Sequence, residues 1–263
     1  MKLGTVTYMW GAEWDLPTLI KNCEFTGFEG VELRTTHKHG VEVTLNEADR
    51  DTVRKRFADS NVDCAGLGST CEYHSPDGAT LKKQIALTKE FVILAHDIGA
   101  TSEKVRPNSL VEGEDRERTV ARIGMALREC GQFAEGHGVE IRVEVHGKGT
   151  QMPDVMRQIM EIAEHPSVRT TWNSNPDDVM NGSIAHSFEM LQKYQGSVVH
   201  IHDLYDPKYP YRELFGLLRK MNFDGYTLSE SPATQDPIRV MHYYRALWLE
   251  LTKPEPGSPN PKK

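Results

Sequence analysis

Val139-Glu140-Ile141-Arg142-Val143-Glu144-Val145 sets apolar side chains on one face of an extended chain and charged ones on the other. That alternation predicts a β-strand, because successive strand side chains project to opposite faces. Helical patterns bracket it, one over 115–136 and one over 152–164. The same pairing continues both ways along the chain. Toward the N-terminus, strands are expected at 3–9, 30–34, 62–68 and 102–106, with helices at 15–26, 45–59 and 79–97. Toward the C-terminus, strands are expected at 168–172, 198–202 and 226–229, with helices at 183–195, 211–221 and 235–252. The punctuation agrees: Asp15 suits a helix N-cap, Pro17 its first turn, and Gly27 the position just past its end.

Strands alternating with helices imply parallel pairing through right-handed crossovers. Eight such units in roughly 250 residues match a (β/α)8 TIM barrel, an α/β fold, here as a single domain over 1–252. The competing open doubly wound sheet favours a glycine-rich phosphate loop after its first strand. Tyr8-Met9-Trp10-Gly11-Ala12-Glu13-Trp14 stands there instead, so the closed barrel is expected. Residues 253–263 carry too much proline and too little apolar surface to order themselves, and a disordered tail is expected.

Composition narrows the function. Lys and Arg total 31 against 38 Asp and Glu, a net charge of −7, which argues against a nucleic-acid partner. No run approaches the ~18 apolar residues of a membrane helix. The first residues alternate like a strand and lack the apolar core of a secretory signal. The four cysteines, Cys23, Cys64, Cys71 and Cys130, are scattered without a paired motif, as in a reducing compartment. A cytoplasmic protein is the expectation.

A closed barrel carries its active site at the C-terminal ends of its strands. Glu144, Asn173, His200 and Glu230 fall at the ends of the fifth to eighth strands. Two carboxylates, an imidazole and an amide oxygen make a mixed site for one divalent cation. Oxygen ligands suit Mn2+ or Mg2+, and the histidine admits Co2+ or Zn2+. The competing reading is that Glu144 and Glu230 are merely salt-bridged to Arg34, Lys104 or Arg106, since buried carboxylates need partners. Alternation sets His200 and His202 on one face, the deeper being the ligand. Asn173 and Asn175 offer a similar choice. Lys104, Arg106, His146, His202 and Asn175 are candidates for holding substrate, and Trp10 or Trp172 for stacking on a sugar face. Gly147-Lys148-Gly149 is a weak signal for approach to a phosphate.

These residues resemble the xylose isomerase-like barrels of sugar isomerases and epimerases, including tagatose 3-epimerase-type enzymes and the endonuclease IV fold. The likeness runs through Gly27-Phe28-Glu29-Gly30-Val31-Glu32-Leu33, Ile141-Arg142-Val143-Glu144, Val199-His200-Ile201-His202-Asp203 and Asp224-Gly225-Tyr226-Thr227-Leu228-Ser229-Glu230. The resemblance implies that Glu144, the sixth-strand residue, His200 and Glu230 bind one metal, and that Glu144 and Glu230 are catalytic in proton transfer. It also implies a small-molecule sugar substrate and a homo-oligomer. One departure stands out. The family has Asp at the sixth strand and His three residues on, whereas this chain has Asn173 and Pro176. Asparagine gives a carbonyl oxygen but no charge.

The expected reaction is isomerisation or epimerisation of a keto-sugar through an enediolate. Elimination from a keto-glycoside on the same site is the alternative. An endonuclease IV-like phosphodiesterase ranks below it: His37, His39 and His74 stand near the rim, but the acidic balance and the missing sixth-strand Asp-x-x-His argue against it, and a non-catalytic sugar-binding barrel ranks below as well.

Overall fold

Short extended runs form the strands, and helices return the chain between them. The first helix shows how local the coding is. The Asp15 carboxylate accepts from the Thr18 amide, Pro17 occupies the first turn, and Gly27 closes the helix at φ 76°. In the computed structural model, which describes residues 1–254, the strands are β1 Lys2–Val6, β2 Gly30–Arg34, β3 Asp63–Glu72, β4 Ser102–Arg106, β5 Glu140–Glu144, β6 Val168–Trp172, β7 Gln195–Ile201 and β8 Tyr226–Ser229. The helices are α1 Leu16–Thr26, α2 Glu47–Ala58, α3 Gly78–Ile98, α4 Arg116–Glu135, α5 Pro153–Ala163, α6 Ala185–Leu191, α7 Tyr211–Lys220 and α8 Pro237–Leu251. The proline-rich tail expected over 253–263 lies, from residue 255 on, outside the described residues.

Each strand pairs in parallel with the next, and β1 closes on β8, so the sheet is a complete barrel in sequence order. Closure leaves no sheet edge unpaired. The main apolar core fills the layer between strands and helices, with Leu19, Phe28, Leu94, Ile123, Ile159 and Phe215 within it. A separate small cluster of Val6, Ala65, Val198 and Leu228 packs with Tyr226. No helix among the described residues is long and apolar enough to cross a membrane.

Four elements differ most from expectation. β3 runs on to Glu72, past its expected end at Gly68, and Glu72 regains register opposite Arg106 after a shift. Its glycines and hydroxyl residues hide the apolar alternation. The helix expected over 183–195 stops at Leu191 and tightens into a 3-10 turn at Gln192–Tyr194, so β7 starts at Gln195. β1 ends at Val6, short of the expected residue 9; Met9 takes φ 62°, which no strand allows.

Candidate functional site

The floor of the site is an ion pair inside the barrel. Arg142 and Glu144 share the inward face of β5, and Glu32 points inward from β2. Arg142 donates from Nε to Ser102, from Nη1 to Thr171, and from Nη2 to Glu32 Oε2 at 2.7 Å. Both Arg142 and Glu32 are fully buried. β3 makes room for them with glycine: a Cβ on Gly66 would lie 2.6 Å from the Arg142 guanidinium, and one on Gly68 would lie 2.8 Å from Glu32 Oε1. Burial pushes the Glu32 carboxyl up, but Arg142, His200 and Lys104 outweigh it and hold it near 2.

Glu32 carries His200 above it. Oε2 stands 3.3 Å from His200 Nε2, which turns Nδ1 toward the mouth. Three oxygens surround Nδ1: Asn173 Oδ1 at 3.3 Å, Glu230 Oε2 at 3.5 Å and Glu144 Oε1 at 3.6 Å. Asn173 is oriented by donating from Nδ2 to Asn175 Oδ1, while Asn175 in turn donates to the Val145 carbonyl at 2.6 Å. Of the two asparagines, Asn173 therefore faces the imidazole and Asn175 braces it. The deeper histidine, His200, is the buried one; the His202 side chain is 37% exposed, 3.6 Å from Glu230 Oε2.

Lone pairs converge at Nδ1, and something positive has to sit among them. In the protein alone that is a proton: burial pushes His200 down, but Glu32, Glu144 and Glu230 raise it to about 9. A divalent cation is the other solution. Ligand atoms of Glu144, His200 and Glu230 all lie within 4.8 Å of one another, the one such group of three or more among the described residues. Donors sharing one cation stand roughly 3–3.6 Å apart, and each of the three oxygens stands at such a distance from Nδ1. A carboxylate behind the far ring nitrogen is the usual support of a ligating histidine. The residues thus fit a cation, with two formal negative charges in the donor set because Asn173 is neutral.

Of the salt bridges weighed from sequence one is formed, Glu144 with Lys104, while Glu230 meets only His200 and His202 among the described residues. Lys104, buried on β4, donates from Nζ to Glu144 Oε2 at 2.7 Å and stands 3.9 Å from Glu32 Oε1. It occupies the oxygen of Glu144 that faces away from His200, so the two roles do not compete. Burial pushes the Glu144 carboxyl up, yet Lys104 and His200 hold it well below the usual carboxylate range.

The cavity above measures about 410 Å³; Tyr8, Arg34, Arg106, His146 and Gln151 wall it, with Asn175 and His202. Two expectations are corrected. Trp10 does not line the cavity: it is buried, donates to the Pro232 carbonyl at 2.8 Å and packs edge-on against Tyr244. Trp172 is buried behind the sheet, bonded to the Tyr209 hydroxyl. Tyr8 supplies the aromatic wall instead. The Gly147-Lys148-Gly149 run serves chain packing, with Gly147 at φ 98° against the Asn108 carbonyl, where no Cβ fits. His37 and His39 are engaged within the β2–α2 loop, His37 with Thr7 and His39 with the Arg34 carbonyl. Glu32, Arg142, Tyr8 and Gln151 were not singled out by sequence as site residues. The signal for Arg142 was there, since it shares the face of Glu144 in the alternating fifth strand.

Asp178 supports the Asn173–Asn175 loop. Its Oδ2 accepts from the Asn175 amide at 2.7 Å and from the Tyr209 hydroxyl at 3.0 Å, while Oδ1 is buried without a partner. Burial raises this carboxyl from 3.8 to about 7. The native state therefore holds a proton that the unfolded chain releases, so its stabilisation is full below pH 3.8 and lost as pH rises through about 7. Asp178→Asn keeps both acceptor bonds and removes the buried charge. Its Tm relative to wild type is expected to climb steadily between pH 4 and 8; a difference independent of pH would show that Asp178 keeps an ordinary pKa.

Fold and site together define a (β/α)8 barrel with a carboxylate–imidazole cluster at its C-terminal mouth. The chain belongs to the xylose isomerase-like TIM-barrel family, whose model matches residues 20–247. No curated protein sequence matches it. Among solved structures it is similar to the IolI protein with a bound zinc atom, at 14% identity and TM-score 0.79, covering 96% of this chain and 98% of the other. It is similar also to D-psicose 3-epimerase from Clostridium cellulolyticum H10 with D-tagatose, at 16% identity and TM-score 0.74, with coverage of 96% and 98%. A third is the probable 3-DHS dehydratase AsbF from Bacillus anthracis, at 14% identity and TM-score 0.73, with coverage of 95% and 99%. At such identities the likeness is one of fold.

Proposed function

We propose that this protein is a divalent-metal-dependent isomerase or epimerase of keto-sugars, with Glu144, Asn173, His200 and Glu230 as metal ligands. The observation that carries the reading is the convergence of three acceptor oxygens on a histidine nitrogen whose other nitrogen is anchored by Glu32. Mn2+ or Mg2+ suits the oxygen-rich set, and zinc is bound in the IolI neighbour. The cation, when bound, supplies Lewis-acid polarisation of the substrate carbonyl and stabilises the enediolate. The protein's own residues do the rest. Glu144 and Glu230 flank the cluster from β5 and the end of β8, so one, ionised, takes the proton beside the carbonyl, and the other, entering the cycle protonated, delivers its own proton to a different carbon or face. Lys104 keeps Glu144 ionised and fixed. His146, His202, Asn175 and Arg106 line the cavity where hydroxyl groups would lie. Buried free thiols support a reducing, cytoplasmic location. Elimination from a keto-glycoside needs the same two carboxylates, and the likeness to a dehydratase supports that second reading.

The test is Mn2+ titrated into chelator-treated protein, followed by solvent deuterium exchange into ketoses. Binding of about one equivalent is expected, weakened at least about tenfold by Glu144→Gln and by His200→Ala. Absence of Mn2+, Mg2+, Co2+ and Zn2+ binding in the wild type would sink the proposal.

A further inference from the structure

We propose that the cavity selects an anionic sugar derivative, seating a carboxylate or phosphate group on Arg34 and Arg106 while the carbonyl end faces Glu144 and Glu230. This rests on the reading of the cluster as a carbonyl-acting sugar site and adds the substrate class.

The mouth is divided electrically. The acceptors around His200 Nδ1 all come from β5 to β8. The cations come from the opposite arc, Arg34 from the end of β2 and Lys104 and Arg106 from β4, and all three line the same cavity. Their pairing differs. Lys104 is matched by Glu144 at 2.7 Å. Arg106 gives one Nη2 bond to Glu72 at 2.7 Å, while its Nε–H is buried with no acceptor. Arg34 forms no ion pair and no side-chain hydrogen bond among the described residues; its guanidinium lies 5.3 Å from the centroid of the Tyr8 ring. A guanidinium resting on a ring keeps its N–H edges free for an acceptor. His146 Nδ1 is a further buried, unpartnered nitrogen on the cavity wall.

An unmatched guanidinium and an orphaned buried N–H, on one side of one cavity, call for an acceptor with several lone pairs and a negative charge. A sugar hydroxyl offers one weak acceptor at a time. A carboxylate or phosphate offers several charged acceptors at once and balances the charge on Arg34, with Arg106 lining the same cavity. The geometry also orients the substrate, since its anionic end and its carbonyl are drawn to opposite walls.

The probes are D-fructose, D-fructose 6-phosphate and 5-keto-D-gluconate, each titrated calorimetrically into Mn2+-treated protein at one ionic strength. At least one anionic probe is expected to bind about tenfold or more tighter than fructose, and which one does so separates phosphate from carboxylate. Arg34→Gln should bring that ratio toward unity, and Arg34→Lys should keep part of it. Arg106→Gln serves as the second variant should Arg34→Gln fail to fold. Equal affinity for all three probes, or a ratio undiminished in both glutamine variants, would overturn the proposal. Anion preference without deuterium exchange into any ketose would instead defeat the carbonyl-acting reading and leave the anion seat standing.

Discussion

Glu230→Gln is expected to lower turnover by about a thousandfold while leaving the fold intact, in the range that loss of a general acid–base group usually costs. The two carboxylates of the site sit in different surroundings, and that difference makes the expectation specific. The Glu144 side chain is 4% exposed and clamped by Lys104, whereas that of Glu230 is 18% exposed and faces the cavity beside His202. Removing the charge of Glu230 leaves Lys104 and Glu144 paired, so urea unfolding should stay within about 1 kcal/mol of wild type. Glu144→Gln should abolish turnover too, but at a further cost of about 3 kcal/mol in stability, because the buried Lys104 ammonium loses its nearest partner. The pair of variants thus separates chemistry from folding. Deuterium exchange into a ketose substrate reads the first, and a urea titration reads the second. A Glu230→Gln enzyme within tenfold of wild-type turnover would remove Glu230 from proton transfer.

The strand-end positions of Glu144, Asn173, His200 and Glu230 were legible because a parallel barrel maps strand order onto position around its mouth. Once 139–145 reads as a strand, the neighbours of Glu144 follow from counting units along the chain. Four strands were bounded to the residue, at 30–34, 102–106, 168–172 and 226–229, each a short run closed by polar or glycine punctuation. What stayed hidden was contact across the barrel. Glu32 and Arg142 are 110 residues apart, and no local pattern says that they meet. Gly66 and Gly68 read locally as weak strand formers, whereas their use is the space they leave for that pair. Trp10 misled for a related reason. An aromatic residue after a strand suits a cavity wall or a buried loop equally well, and the partners that decide it, Pro232 and Tyr244, lie far away in the chain. The competing readings of Glu144, ligand or salt-bridge partner, could not be separated by sequence because each fits a different oxygen of one carboxylate.

Arg142→Met is expected to destabilise the protein by about 3–5 kcal/mol at neutral pH, the usual cost of breaking a buried pair from one side. Methionine fills much of the volume, so the loss falls on Glu32, which keeps its charge in a fully buried position with only His200 and the more distant Lys104 to balance it. The pH dependence follows from the sign of the shift. In the wild type Glu32 is held near 2, below its unfolded value of 4.5, so its contribution is present above pH 4.5 and lost as pH falls toward 2. Without Arg142 the burial that opposes ionisation dominates, the folded carboxyl moves up, and the variant gains relative stability on acidification. The gap between wild type and Arg142→Met should therefore narrow as pH falls below about 4.5. The double variant Glu32→Gln, Arg142→Met removes both charges and should recover most of the loss, because a neutral buried pair carries no ion to desolvate. It should not recover the metal site. A glutamine amide in place of the Glu32 carboxylate would accept from His200 Nε2 without the negative charge that strengthens the ring as a ligand, and Mn2+ affinity should stay down by about 10–100-fold. Stability restored while affinity remains lost would mark the Glu32–Arg142 pair as the device that orients and polarises His200. Recovery of both together would make the pair a packing element alone, and an Arg142→Met protein within about 1 kcal/mol of wild type at pH 7 would contradict the buried-charge account from the start.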